Sequence, residues 1–237
     1  MAEPTTKTEF KAWCKRKLGY PVIDINVDDD YVIEIENLIL TGGEYGIVSN
    51  GGGTLSISNS KLSNYGNDAM RINSNANIDS VTVTNGGILI NGNTTTITNS
   101  FVLNSQGNGI EIGGGADAII SNVIVADNFG SGIHINNSGD VVITGSLIYR
   151  NIAYSANAGI YVNGGEATVT NSTICNNTGS YPERGGVYIV SGNPVFQSNN
   201  IAFNQNYGAY NADNAYVINA EGSYWGSSSG PYNAVLN

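Results

Sequence analysis

From about residue 31 to the C-terminus, apolar and polar residues alternate with a period of two over short runs. Segments such as TTITNSFVLN and VVITGSLIYRN are typical, and Gly and Asn separate one run from the next. A period of two places alternate side chains on opposite faces of a strand, whereas an amphipathic helix needs a period near 3.6. The pattern therefore predicts many short strands and excludes helix for most of this region.

These strands recur as one repeated phrase, in which an Asn-containing run is followed by a Gly-Ile element. Examples are TTITNSFVLN followed by GIEI, and TVTNSTICNN followed by GVYI. Successive elements begin 18 to 27 residues apart, near residues 46, 69, 87, 109, 132, 159, 186 and 208. A constant strand phrase with loops of variable length is typical of a solenoid, since its strands must stack in register while its loops can grow. We predict an all-β solenoid of about eight coils.

The first thirty residues differ from the rest in composition. Thr6 and Glu9 have the spacing of a capping box, and Phe10 and Trp13 share one face of the helix that would follow. The pattern predicts one short amphipathic α-helix, and then the extended segment PVIDINV and an acidic turn. We divide the chain into an N-terminal attachment segment (1–30) and a solenoid (31–237) that ends in a C-terminal cap (215–237).

Charge limits the possible partners. The chain has 9 Lys and Arg against 19 Asp and Glu, for a net charge of −10, and five of the nine cations lie in residues 7–17. Because phosphate binding needs clustered cations, we expect no nucleic acid on the solenoid. No apolar run approaches the roughly 20 residues that span a membrane, and the N-terminus has no apolar signal region. We therefore expect no membrane partner, and synthesis in the cytoplasm without a signal peptide.

Two parts of the sequence resemble known families. Across residues 31–237 the repeated phrase, with its WGSSSGP ending, resembles the right-handed parallel β-helix repeat family, which implies a pectate lyase-like fold. Residues 8–30, TEFKAWCKRKLGYPVIDINVDDD, resemble the opening of structural proteins in tailed-phage virions. This second resemblance implies a location in a virion and virion proteins as the partners of the attachment segment. It also fits the missing signal, because virion proteins leave the cell by lysis.

Asn residues recur at the bends between strands. Asn tolerates left-handed backbone angles, and its amide can hydrogen-bond to the same group one coil away, so we predict structural ladders. The two predicted sets are Asn59, Asn99, Asn122 and Asn171, and Asn64, Asn85, Asn104 and Asn176. After the last coil, Tyr224 and Trp225 are expected to cover the open apolar end of the stack.

One outward-facing column carries the residues of greatest chemical interest. In each Gly-Ile strand the apolar residues point inward and the residue between them points outward. The predicted outward column is Val48, Arg71, Leu89, Glu111, His134, Tyr161, Tyr188 and Tyr210. The three Tyr residues are either a stabilising aromatic ladder or a platform that binds carbohydrate or a partner subunit. Alternatively, Glu111 and His134, with Arg71 two coils away, have the residue types that proton abstraction from a uronic acid needs.

These observations favour a non-catalytic phage virion-associated β-helix protein of the tail-fibre or surface-appendage type. Its Tyr-bearing face would bind a cell-surface glycan or sister subunits in a homo-oligomer. The alternative is a polysaccharide lyase or glycoside hydrolase that acts on acidic polysaccharide through Glu111, His134 and Arg71. Carboxylates are not clustered as hydrolases and Ca-dependent lyases require, so we expect no metal and no cofactor.

Overall fold

The computed structural model describes residues 23–27 (backbone only), 32–153, 159–181, 185–213, 215 and 217–226. These residues form 27 strands and no helix. The prediction of an all-β solenoid is confirmed. The predicted N-terminal helix and the end of the predicted cap, after residue 226, lie outside the described residues.

Three parallel sheets form the walls of the solenoid. Sheet 1 contains β1 (Ile23–Val27), β4 (Ile47–Gly51), β7 (Asp68–Ile72), β10 (Gly87–Asn91), β13 (Ile110–Gly113), β16 (Ile133–Asn136), β20 (Ile160–Asn163), β24 (Val187–Ser191) and β27 (Ala209–Asn211). Sheet 2 contains β2 (Val32–Glu36), β5 (Thr54–Ser58), β8 (Asn75–Asp79), β11 (Thr94–Thr98), β14 (Asp117–Ser121), β17 (Asp140–Thr144), β21 (Glu166–Thr170) and β25 (Val195–Gln197). Sheet 3 contains β3 (Ile39–Thr41), β6 (Lys61–Ser63), β9 (Thr82–Thr84), β12 (Phe101–Leu103), β15 (Ile124–Ala126), β18 (Leu147–Tyr149), β22 (Thr173–Cys175) and β26 (Asn200–Ala202). A short pair is formed by β19 (Ile152–Ala153) and β23 (Thr178–Gly179).

The chain passes through sheets 1, 2 and 3 in turn, and we call each such set of strands a rung. Sheets 2 and 3 have eight strands each, so the chain makes about seven complete turns between the first and the last of them, rather than the predicted eight. After β27 the chain meets the last rung through isolated bridges, which join Asn219 to Val195 and Tyr224 to Asn200.

Inward side chains fill the solenoid with stacked aliphatic residues. In β13 and β16 the inward Ile110, Ile112, Ile133 and Ile135 are all 0% exposed, and each lies beside its equivalent in the next rung. Burial of each such side chain stabilises the fold by roughly 1.5–3 kcal/mol. The alternation of buried and outward residues confirms the predicted strand phase.

Three bends connect the strands: the first joins sheet 1 to sheet 2, the second joins sheet 2 to sheet 3, and the third leads to the next rung. The second bend has two residues in every rung. The first of the two has a positive φ, as in Asn99 (50°) and Gly145 (57°). The next points inward, and the Ser146 hydroxyl there donates to Thr144 O (3.0 Å) and accepts from Val123 N–H (3.2 Å). The third bend varies from two to eleven residues.

The extended segment predicted before residue 30 forms β1. Its backbone pairs with β4, with Ile23 opposite Ile47 and Val27 opposite Gly51. The attachment segment therefore contributes the first strand of sheet 1. Whether residues 1–30 and 31–237 fold separately stays a prediction.

Candidate functional site

Parallel register aligns the outward residues of sheet 1 into one column, which we call the outer column. The paired residues are Val48, Arg71, Leu89, Glu111, His134, Tyr161, Tyr188 and Tyr210, in the order that the spacing predicts. Adjacent strands bring these side chains within about 5 Å of one another, close enough for direct contact. The chemistry of the column changes along its length, from mixed charged and aliphatic residues to aromatic ones.

The C-terminal half of the column is a continuous aromatic stack formed by His134, Tyr161, Tyr188 and Tyr210. Ring centroids of His134 and Tyr161 are 4.7 Å apart, with 17° between the ring planes. Each of the two Tyr–Tyr pairs has centroids 5.8 Å apart, at 30° and 17°. The Tyr188 ring lies between the Tyr161 ring, to which it is tilted, and the Tyr210 ring, on which it stacks. The stack therefore presents ring edges and hydroxyl groups outward rather than open ring faces.

Asn108, from the third bend, ties His134 to Glu111. Its Nδ2 donates to Glu111 Oε2 (2.9 Å) and to His134 Nδ1 (3.2 Å), and its Oδ1 accepts from Ser131 N–H (2.9 Å). The direct distance from His134 Nδ1 to Glu111 Oε1 is 3.9 Å, which is too long for a hydrogen bond. Burial lowers the pKa of His134, and the charge of Glu111 opposes that shift. A neutral imidazole that accepts at Nδ1 carries its proton on Nε2.

Arg71 lies apart from this cluster. Its Nη2 donates to Asp68 Oδ2 (3.1 Å) and to the Tyr45 hydroxyl (3.4 Å), and its guanidinium carbon lies 4.5 Å from the centroid of the Tyr45 ring. Leu89 separates Arg71 from Glu111 in the column. Of the three predicted catalytic residues, the fold brings together Glu111 and His134 and leaves Arg71 engaged elsewhere. Sequence analysis did not identify Tyr45, because this residue lies in a third bend rather than in a strand.

A groove of about 270 Å³ runs beside the aromatic stack, where two successive third bends meet sheet 1. Its wall includes His134 and Tyr161. The bends contribute Gln106, Gly107, Asn108 and Phe129. The repeat phrase did not predict this groove, because most of the residues that line it lie in bends whose length and sequence change from rung to rung.

The two predicted Asn sets lie at the second and third bends, and all eight residues have positive φ. Within them, Asn85 Nδ2 donates to Asn64 Oδ1 (2.7 Å). A longer amide ladder, which the sequence analysis missed, lies one position further along the third bend. It is buried and joins Asn128, Asn151, Asn177 and Asn204 at 2.8, 3.0 and 3.0 Å. The residue with left-handed backbone angles turns the chain, so that the side chain of the residue after it points inward.

At the C-terminal end, Trp225 packs against the core as predicted. Tyr224 differs from the expectation. Its backbone bonds to Asn199 O (2.7 Å) and Ile201 N (2.7 Å), but its side chain is 52% exposed. Because alternate residues of an extended segment point to opposite sides, only one of two adjacent aromatics can face the core. Ile218 and Ala220 pack there with Trp225 instead.

The described residues hold neither a candidate metal-binding cluster nor a membrane-spanning helix. They contain no group of three or more His, Cys, Asp or Glu that could hold a metal ion. They also contain no helix that is long and apolar enough to cross a membrane.

Comparison with known proteins identifies two regions. Residues 86–224 match the family described as right handed beta helix region, which is more than half of the chain. Residues 1–40 match the family described as bacteriophage T4 neck protein gp13. The second match is longer than the resemblance found in residues 8–30, and it extends through β1 and β2 into the first rung.

Other comparisons add little. No curated protein matches the chain in sequence. A solved structure of HetL, a pentapeptide repeat protein from the cyanobacterium Nostoc sp. strain PCC 7120, aligns with 94% of this chain and 95% of its own at 9% identity and a TM-score of 0.26. A likeness this weak carries no argument about fold or function.

Proposed function

We propose, for a chain that belongs to the right-handed β-helix family, the role of a non-catalytic, virion-associated protein of the tail or surface-appendage type. The segment that matches a bacteriophage neck protein would attach the chain to other virion proteins. The solenoid would present the outer face of sheet 1 to a cell-surface glycan or to sister subunits. The match over residues 1–40 is the observation that carries the virion assignment, because the β-helix fold alone implies no particular function.

Continuity between the two parts supports this arrangement. Strand β1 lies inside the matched segment and pairs along its whole length with β4 of the solenoid. A chain held at its N-terminus would therefore project the outer column along a rod that rises about 4.8 Å per rung. Such a rod keeps a recognition surface at a fixed distance from the particle.

The aromatic stack supports recognition through its edges. Tyr161, Tyr188 and Tyr210 are each half-buried, and their stacked rings fix a row of hydroxyl groups. Hydroxyl groups on rigid rings donate and accept hydrogen bonds to sugar hydroxyls at little cost in side-chain entropy. The proposal therefore assigns carbohydrate contact to the edges of the Tyr rings and to the adjoining groove.

Immunogold labelling tests the virion assignment. Antibodies against the purified chain should label phage particles at one fixed position in electron micrographs. Particles without label, together with free protein in the lysate, would overturn the assignment and leave the fold unaffected.

Cell binding tests the recognition face. Replacing Tyr161, Tyr188 and Tyr210 together by Ser in the full chain should abolish binding of fluorescent protein to host cells. The matched control replaces Tyr149 and Tyr224, which lie on sheet 3 and at the C-terminal end, and should bind normally. Normal binding by the triple variant, with an earlier melting transition, would identify the Tyr residues as a structural ladder only.

A second candidate function is polysaccharide lyase or hydrolase activity. The observation that favours it is the Asn108 bridge between Glu111 and His134, which orients a neutral imidazole beside a carboxylate. Incubation with uronate polymers should then release unsaturated product that absorbs in the ultraviolet, and His134→Ala should abolish the release. The leading proposal expects no turnover, since Arg71 is engaged with Asp68 and is separated from the pair by Leu89.

A further inference from the structure

The groove beside the aromatic stack is formed by residues of the third bends and of sheet 1. Two consecutive third bends form its sides, and they approach closely at Gly130. A Cβ atom there would lie 2.6 Å from Gly107 C and 2.7 Å from Asn108 N, so glycine allows this packing. The groove is therefore a built feature of two rungs rather than a gap between mobile loops.

Its volume indicates a ligand of one ring. Pockets for drug-sized ligands measure about 300–1,000 Å³, and this groove has about 270 Å³. One sugar ring fits such a space, and the rest of a longer glycan would continue along the outer column. The groove and the aromatic stack share Tyr161, so one ligand could contact both.

The lining indicates an uncharged ligand. Among the described residues that line the groove there is no carboxylate and no Lys or Arg. Glu111 contacts Asn108, which lines the groove, and would repel an anionic sugar. Gln106 offers an amide donor and acceptor, and Phe129, which is 41% exposed, offers aromatic surface. An amide beside an aromatic ring matches the mixed polar and apolar surface of a neutral sugar.

His134 forms part of the groove wall. Its Nδ1 accepts from Asn108, so the neutral imidazole carries a proton on Nε2. That nitrogen is buried and has no hydrogen-bond partner among the residues described. Because that nitrogen is buried, a ligand in the groove meets the imidazole as part of the wall rather than as a donor.

We propose that this groove holds one uncharged sugar ring, with its hydroxyl groups on Gln106 and its apolar face against Phe129. The inference rests on the proposed glycan recognition and narrows it to neutral saccharides. In this arrangement Asn108 is a positioning residue, because its amide is fully engaged with Glu111, His134 and Ser131.

Saturation-transfer NMR with the full chain tests the ligand class. The probes are glucose, galactose, mannose and N-acetylglucosamine, compared with glucuronate and galacturonate. We expect signal from at least one neutral sugar and none from the uronates. Preference for a uronate, or no signal from any of the six, would overturn the inference.

Blocking the groove tests its position. A Cβ at Gly107 would meet nothing within 4 Å, so Gly107→Leu should fill the groove without disturbing the backbone. Gly66→Leu is the matched control, since a Cβ at this third-bend glycine would meet only Gly43 O, at 3.8 Å. We expect Gly107→Leu to weaken binding of the best neutral sugar at least about tenfold, whereas Gly66→Leu should bind as the parent chain does.

The aromatic wall provides an independent test. Phe129→Ala should weaken binding about tenfold, on the scale of stacking on an aromatic ring. Phe101→Ala, at a ring with nearly equal exposure (42%) on sheet 3, should leave binding unchanged. Binding that survives Gly107→Leu and Phe129→Ala would overturn the groove assignment. If cell binding in that case still depends on the three Tyr residues, the proposed function stands without the groove assignment. If cell binding does not depend on the Tyr residues either, the proposed function is overturned together with the groove assignment.

Discussion

The second and third bends of the solenoid follow opposite rules. The second bend has two residues in every rung, with a left-handed residue followed by an inward one. The third bend ranges from two residues, between β9 and β10, to eleven, between β22 and β24. Both connect stacked parallel strands and both contain positive-φ residues. The two bends also differ in what they hold. The second bend points one small residue inward, such as Ser100 or Val123, whereas the third bend supports an amide ladder and lines the groove.

This difference explains where recognition can arise. Neither residue of a two-residue second bend is available to bind a ligand, because one turns the chain and the side chain of the other points into the interior. A longer bend can satisfy its inward position with one residue, such as Asn128, and still place others outward, such as Phe129. Residues that bind ligands are therefore expected in the third bend, where changes in length and sequence disturb the stacked strands least.

An insertion gives the largest expected effect. Inserting Gly-Ser between Asn99 and Ser100 in a second bend should lower the free energy of unfolding by about 4 kcal/mol or more, because Ser100 Oγ would lose its bonds to Val81 N and Thr98 O. The same insertion between Ser180 and Tyr181, in a third bend of eleven residues, should cost only about 0.2 kcal/mol. Chemical denaturation measures both, and equal losses would contradict the distinction between the bends.

Removing one residue of the buried Asn ladder has the second largest expected effect. Asn151→Ala should cost about 3 kcal/mol, since Asn128 Nδ2, Asn177 Oδ1 and Val125 O would lose their partner. Asn176→Ala, at the neighbouring exposed position, should cost about 1 kcal/mol for its left-handed backbone alone. A smaller loss for Asn151 than for Asn176 in urea denaturation would show that the ladder contributes little.

A left-handed position in the second bend should show a smaller effect. Asn171 has φ 50°, and Gly145 occupies the equivalent position one rung earlier with φ 57°. Asn171→Ala should therefore cost about 1 kcal/mol, whereas Asn171→Gly should lie within about 0.5 kcal/mol of the parent chain. If Ala and Gly destabilise equally, the Asn171 side chain rather than its backbone angle matters.

The smallest expected effect is a dependence of stability on pH. Burial lowers the pKa of His134 below its ordinary value of 6.5, so the unfolded chain binds a proton there more readily than the folded one. Stability should therefore fall as the pH drops below about 6.5, until the folded pKa is passed. Melting temperatures of the parent chain and of His134→Gln, compared from pH 7.5 downward, should converge as the pH falls. A parallel pH profile for the two proteins would contradict this role.

Positions that repeat in every rung could be predicted from the sequence, whereas positions in the variable third bends could not. The outer column follows from the period of two and the Gly-Ile spacing, because parallel stacking admits one register once the Ile residues face inward. The approach of Glu111 to His134 was predictable for the same reason. The engagement of Arg71 with Asp68 and Tyr45 was not, since it depends on the path of a third bend that no repeat describes.

By itself the sequence determined the all-β solenoid, the strand phase, the left-handed Asn positions and the order of side chains in the outer column. These properties are local or periodic, so alternation and spacing encode them directly. Tertiary structure alone decided that the Tyr rings stack face to face, that Asn128, Asn151, Asn177 and Asn204 form the buried ladder, and that Asn108 joins Glu111 to His134. Each of these depends on the distance between side chains in successive rungs, which is fixed only when the bends have packed.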